Sequence, residues 1–257
     1  MRIGFFDSGI GGLTVLKEAL RQLPNEDYIY YADTSHVPYG TKTKEEVRTY
    51  IFEAVDFIAE HSVDALVIAC NTATSIAVKD LRQRYSFPIV GMEPAVKPAV
   101  ERCKEKRVLV TATPLTLKEE KFQNLVSRVD VENIVDILPL PELVDFAERF
   151  VFDEEIVIPY LKDKLGGFDL KQYGTIVLGC THFPFFKGYI RKVAGDGIDT
   201  IDGNEGTIKR LKSLLTERGG DFSSKKNGTI EYYSSGVRMM ETYRFSKYFG
   251  IIEQEIK

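Results

Sequence analysis

Short, almost continuously apolar runs rich in β-branched and aromatic residues alternate along this chain with longer runs that are apolar on one side only. The short runs, at 3–7, 28–33, 64–69, 88–91, 107–111, 133–138, 175–179, 200–202 and 229–233, read as strands. The segments 12–22, 44–61, 73–85, 116–127, 140–150, 153–165, 205–218 and 237–249 read as helices. In 44–61, for example, Val47, Tyr50, Ile51, Ala54, Val55 and Ile58 recur at three- and four-residue steps, which is one face of a helix. Strands without polar alternation need cover on both faces, so this rhythm predicts an α/β fold built on parallel sheet. At 257 residues, two architectures are long enough. One is a (β/α)₈ barrel, at roughly 250 residues, and the other is a pair of doubly wound domains.

Two segments favour the pair. Residues 67–74 read VIACNTAT and 177–184 read VLGCTHFP. Each is an apolar strand, a small residue, a cysteine and then two polar residues. A thiol at the carboxyl end of a parallel strand sits where open α/β sheets bind ligands. Two such ends, facing across a cleft, can place Cys70 and Cys180 on either side of one small molecule. That geometry suits removing a proton from one face of a carbon and returning one to the other. The predicted boundaries lie near Glu93–Pro94 and 204–206. Residues 1–93 plus 206–257 then form one domain carrying Cys70, and 94–205 form a second carrying Cys180. The predicted fold is thus two doubly wound parallel-sheet domains with the active site in the cleft between them.

The residues after each cysteine carry the chemistry. A helix starting at about 71–74 would aim free N–H groups at an anion and would lower the Cys70 thiol from its ordinary value of about 8.5. Asn71 and Thr72 add side-chain donors, and Thr181 and His182 repeat the pattern after Cys180. A single strand-end cysteine is most often a small core residue; the matched pair points to function. Cys103, in VERCKEKRV, lacks that context and reads as structural. Asp7 ends the first strand ahead of Ser8 and a glycine-rich turn, either as a functional carboxylate or as a helix cap. The glycine spacing is not that of a dinucleotide site. The loop DTSHVPYGTK at 33–42 can offer the Tyr39 hydroxyl and the Gly40 amide, with His36 as a loop residue. No histidine lies at metal-ligand spacing from a cysteine, so no metal is expected.

Bulk composition excludes other classes. The net charge is −4 with no basic block, so nucleic acid is not an expected partner. No stretch reaches the roughly 18 apolar residues of a membrane helix. The opening MRIGFFDSGIGG lacks the regions of a signal peptide. Three cysteines without a secretion signal suit a reducing cytoplasm.

Taken together, DSGIGGLTVL, YYADTSHVPYGTKT, VIACNTATS, GMEPAVKPA and LGCTHFP resemble the glutamate racemases of the Asp/Glu racemase superfamily. The likeness runs in order from Arg2 to about Pro184, and more weakly beyond. It implies cofactor-independent interconversion of L- and D-glutamate, supplying D-glutamate for bacterial peptidoglycan, by a cytoplasmic enzyme that is a homodimer. It makes Cys70 and Cys180 the two bases, the first acting on D-glutamate and the second on L-glutamate, with Asp7 and His182 assisting. It places substrate contacts on Asp7, Ser8, Tyr39, Gly40, Asn71, Thr72, Thr181 and His182. Asp33 matches an acidic loop position. Glu148 keeps an acidic position in LPELVDFAE, where Asp145 replaces a usual proline and Leu140 a common cysteine.

Pyridoxal phosphate would supply an electron sink, but nothing in the sequence recommends a particular lysine for a Schiff base; the alternative is a closed site whose preorganised donors stabilise the carbanion. Three rivals stand beside this reading. One is a superfamily racemase acting on aspartate or a hydantoin, against which the PYGTK loop leans. The second is a carboxylate-binding module. The third is a dithiol redox protein, which the absence of C-x-x-C disfavours.

Overall fold

The pleat of the first strand divides the molecule. In the computed structural model, which describes residues 1–103, 105–222 and 228–255, β1 (Arg2–Asp7) is buried on both faces. Successive side chains of a strand point to opposite sides. Ile3 and Phe5 therefore join a core with Leu13 and Leu16 of α1 (Leu13–Gln22), while Phe6 joins another. That second core is closed by α2 (Lys44–Glu60), whose Val47, Ile51, Val55 and Ile58 form one buried stripe. A capping box starts α2: the Thr43 side chain accepts from the Glu46 amide, and Glu46 accepts from the Thr43 amide.

Strands β2 (Asp27–Ala32), β3 (Ala65–Ile68) and β4 (Ile89–Gly91) lie parallel with β1 in the first sheet. Helix α3 (Asn71–Arg84) covers the same face as α2. A second sheet contains β5 (Arg107–Ala112), β6 (Val135–Pro139), β7 (Tyr173–Leu178) and β8 (Asp199–Asp202), all parallel, in the order β6-β5-β7-β8. Its helices are α4 (Val96–Arg102), α5 (Pro114–Lys118), α6 (Glu120–Val129), α7 (Glu142–Glu148), α8 (Glu154–Leu165) and α9 (Lys187–Ala194). The chain then runs through α10 (Asn204–Glu217) back to the first sheet. There it adds β9 (Ile230–Ser234), parallel to β2, and β10 (Val237–Arg238), antiparallel to β9. The first sheet thus reads β10-β9-β2-β1-β3-β4. Helix α11 (Tyr243–Glu255) ends the described chain.

Two parallel sheets, each covered by helices, are the predicted α/β class, and they dispose of the barrel alternative. One apolar core spans both. Leu109 and Ile176 of the second sheet belong to it with Ile3, Phe5 and the phenylalanines Phe183, Phe185 and Phe186. On the other face of the second sheet, Val108, Val110 and Val177 pack with Val96 and Ala99 of α4 and Phe122 of α6. Among the described residues, no helix is long and apolar enough to cross a membrane.

Helices α4 and α9 lie outside the segments expected to be helical, and two expected helices take another form. The segment 237–249 opens as a strand rather than a helix. Ser235 (φ 43°) and Gly236 (φ 81°) form a two-residue hairpin turn with both residues left-handed, and α11 starts only at Tyr243. The segment 116–127 is not continuous. Glu119 is extended (φ −68°, ψ 135°) and separates α5 from α6, with its side chain buried against Lys44.

The stripe on α2 carries a direct stability prediction. Ile51→Ala is expected to lower unfolding free energy by about 2–5 kcal/mol, read from urea melts; a loss under about 1 kcal/mol would contradict the packing described.

Candidate active site

Five strands end at one cavity or beside it, and their residues come from both sheets. Asp7 ends β1 and Ser8 follows it, while Asp33 lies beyond β2 and Cys70 beyond β3. Thr113 follows β5, and Gly179 and Cys180 follow β7. Ser8, Tyr39, Gly40, Cys70, Asn71, Thr72, Cys180, Thr181 and His182 all line the cavity. The space is narrow, about 30 Å³, on the scale of a water or two. All three cysteines are free and buried. Cys103 lies apart, 3.0 Å from the Thr175 hydroxyl.

The two thiols sit in unequal turns. Cys70 caps α3, and its sulfur accepts from the Ala73 amide at 3.4 Å. After Cys180 the chain does not enter an α-helix at once, as the matched motifs suggested. It turns through Thr181 and His182 into a short 3-10 helix (Phe183–Phe186) before α9, because Pro184 and three buried phenylalanines fill that turn. His182 lies beside the sulfur, with Nδ1 3.7 Å from Cys180 Sγ.

A glycine-lined turn lets the halves meet here. A Cβ on Gly11 would stand 2.5 Å from both His182 Nδ1 and Thr181 Oγ1, and one on Gly9 would collide with Glu148 Oε1. Bare backbone at these positions permits a shared network. Thr181 Oγ1 donates to Asp7 Oδ1 at 3.1 Å, and the Gly9 amide donates to Asp7 Oδ2 at 3.1 Å. His182 Nε2 lies 2.7 Å from Glu148 Oε1, which also accepts the Ile10 amide at 2.8 Å. Tyr248 of α11 donates to Ala147 O at 2.9 Å and so steadies the end of α7 that carries Glu148.

These contacts tune charge. Burial opposes ionisation of His182, but hydrogen bonds from the ring to Cys180 and Glu148 outweigh it and hold the imidazolium well above its ordinary range. Burial pushes Asp7 up to about 6, against the opposing pull of His182 and the Gly9 and Gly12 amides. The Cys70 thiol is pushed up to about 12 by burial and by Asp7. The Ala73 amide and Ser8 hydroxyl pull it down by less. The expectation that the helix start would lower this thiol is therefore corrected: desolvation beats the helix terminus.

The remaining predicted residues divide. Asp7, Asp33 and Glu148 do not line the cavity; they hold Thr181, Tyr39 and His182, which do. The Tyr39 hydroxyl, expected to be available to a ligand, donates instead to Asp33 Oδ2 at 2.6 Å. His36 also binds Asp33, at 2.8 Å, and stacks on Tyr50 with ring centroids 3.7 Å apart. Sequence reasoning missed Thr113 and Thr116. Their hydroxyls form a triangle with Thr72: Thr72–Thr113 is 3.1 Å, Thr72–Thr116 2.8 Å and Thr113–Thr116 2.9 Å. The strand-end rule that found the cysteines applies equally to the TATPLT segment after β5. Pro38, Thr41, Pro141, Val144, Asp145 and Gly179 complete the lining. Among the described residues, Asn71 Oδ1 is the buried side-chain nitrogen or oxygen without a hydrogen-bond partner, an acceptor left open on a residue that lines the cavity. No group of three His, Cys, Asp or Glu among the described residues is disposed to hold a metal ion.

Asp7 predicts a pH signature. Its folded value of about 6 exceeds the ordinary 3.8, so the protonated carboxyl favours the folded state. That contribution is complete below about pH 4 and is lost as pH rises through about 6. The stability of Asp7→Asn relative to the wild type should therefore improve across this window in urea melts; a difference independent of pH would contradict the burial argument.

Residues 8–211 match the family model described as Asp/Glu/Hydantoin racemase. The chain is 63% identical over 254 residues to the glutamate racemase of Halothermothrix orenii, covering 99% of this chain and 100% of that one. It is 57% identical to glutamate racemase 2 of Bacillus subtilis, covering 98% and 96%. The crystal structure of Francisella tularensis glutamate racemase in complex with D-glutamate superposes with a TM-score of 0.80 at 31% identity, covering 99% of this chain and 93% of that one.

Proposed function

The chain belongs to the Asp/Glu/hydantoin racemase family, in its glutamate racemase branch, and on that premise we propose that it inverts the α-carbon of glutamate by a two-base transfer between Cys70 and Cys180. The observation that carries this reading is that two buried free cysteines, one beyond each sheet, line the same cavity. We further propose that the two sheets mark two domains, 1–93 with 206–257 and 94–205, and that the product D-glutamate serves peptidoglycan synthesis in the cytoplasm.

One thiol must be ionised and the other protonated when substrate enters. The forces on Cys70 favour its thiol, which leaves Cys180, with His182 Nδ1 3.7 Å from its sulfur, as the base of the proposed pair. This is the form that receives L-glutamate. Cys180 takes the α-proton from one face, and Cys70 delivers its own proton to the other. The product is D-glutamate, and the protonation pattern of the two sulfurs is reversed. D-glutamate then runs the same steps backward, with Asp7 beside Cys70 and His182 beside Cys180 as assisting groups.

The carbanion between the two transfers needs stabilisation from fixed donors. The free amides at the start of α3 suit the α-carboxylate, and the unpaired Asn71 Oδ1 suits the substrate ammonium. Holding the carbon between two sulfurs contributes through orientation, worth roughly 7–11 kcal/mol in well-aligned systems. A closed cavity strengthens each dipole by excluding water. Glu148 orients His182 and completes its charge balance.

Either Cys70→Ser or Cys180→Ser is expected to lower kcat for racemisation roughly 10³-fold or more, followed by circular dichroism of L- and D-glutamate. Near wild-type turnover by either variant would overturn the two-base reading.

A further inference from the structure

We infer that the tip of the C-terminal hairpin positions the substrate-facing loop, with Ser235 acting through Asp33 to set Tyr39 and Gly40. The inference rests on the reading of the cavity as a glutamate site. Asp33 is nearly fully buried and lies behind the cavity wall rather than in it. Its amide donates to Asp7 O at 3.0 Å, tying the ends of β1 and β2 together. Its carboxylate gathers three donors: the Tyr39 hydroxyl at 2.6 Å, His36 Nδ1 at 2.8 Å and the Ser235 hydroxyl at 3.0 Å.

Ser235 comes from about 200 positions away, and its hydroxyl is used twice. It donates to Asp33 Oδ1 and accepts the Ser35 amide at 3.0 Å. Its own amide donates to Ala32 O at 2.8 Å, and the neighbouring Ser234 hydroxyl bonds Thr34. The hairpin tip is therefore fastened to the loop at Ala32, Asp33, Thr34 and Ser35. Ser235 is also left-handed, with φ 43°, a conformation that glycine or asparagine adopts more readily than serine. A serine held there with its hydroxyl doubly engaged points to a role for the side chain rather than for the turn.

The far end of the chain of contacts reaches substrate. Tyr39 and Gly40 line the cavity, and the Tyr39 proton is committed to Asp33, so the loop offers its ring and backbone in a position that Asp33 dictates. Gly40 also abuts Thr113 of the other sheet's half, where an added Cβ would come within 2.8 Å of the threonine Cβ. A loop that close to its neighbour tolerates little drift. Loosening it removes binding shared by substrate and transition state, which raises KM and leaves kcat nearly unchanged.

The test compares steady-state kinetics and thermal melts of the wild type, Ser235→Gly, Ser235→Asn, Asp33→Ala and the Ser235→Gly/Asp33→Ala double variant. Glycine suits the left-handed turn, so Ser235→Gly should melt no lower than the wild type. It should nevertheless raise KM for glutamate about fivefold, with kcat within about twofold. Ser235→Asn, polar and tolerant of this backbone, should recover part of the loss. Asp33→Ala should raise KM at least as far, and the double variant no further, because both act through one contact. An unchanged KM in Ser235→Gly, or a double variant whose KM change is the product of the singles, overturns the inference. Wild-type turnover separates the two readings. A wild type that does not racemise glutamate defeats the proposed reaction, whereas normal wild-type turnover with an unaltered Ser235→Gly defeats only this inference.

Discussion

The site depends on one contact between the halves: the glycine-lined turn after β1 lies directly against Thr181 and His182. A Cβ at Gly9 would displace the Glu148 carboxylate, and one at Gly11 would displace His182 and Thr181. The close approach lets Asp7 accept from Thr181, and lets Glu148, already bonded to His182 within its own half, accept the Ile10 amide as well. Without it, Asp7 would lose its Thr181 donor and Glu148 the Ile10 amide, each leaving a buried carboxylate short of a partner at a cost of about 1–3 kcal/mol. With it, they form a satisfied network in low dielectric, which strengthens every charge it contains.

That network makes the two thiols different. Near Cys70, burial and the Asp7 carboxylate outweigh the helix start and favour the thiol. Near Cys180, an imidazolium held by Glu148 stands beside the sulfur. Two-base racemisation needs one acid and one base at a time, and the proposed roles of the two thiols draw on that asymmetry. The apolar core shared by both sheets keeps the network aligned, since Phe183, Phe185 and Phe186 anchor the turn after Cys180 while Tyr248 steadies the carboxylate end of α7.

Much of this was legible in the sequence, for local reasons. Apolar strands buried on both faces announce parallel sheet, and a cysteine followed by polar residues at a strand end is a pattern within eight positions. What escaped was non-local. Glu148 and His182 are 34 positions apart and Ser235 and Asp33 are 202 apart, so neither pair leaves a local signature. The break at Glu119 follows from Lys44, 75 positions earlier. The direction of the Cys70 shift was misread because burial is a property of the assembled cleft, whereas the helix start is visible in the chain. The hairpin at 235–236 did leave a signal, a Ser-Gly pair between apolar runs, but the helical spacing of the residues after it masked the turn.

The most direct test of the two-base account is isotope entry at the α-carbon in deuterated water, started separately from each enantiomer and read by mass spectrometry at low conversion. Two separate bases predict that the product carries deuterium while the recovered substrate remains almost unlabelled, in both directions. Equal early labelling of substrate and product would mean that one base serves both faces, and the account would be wrong.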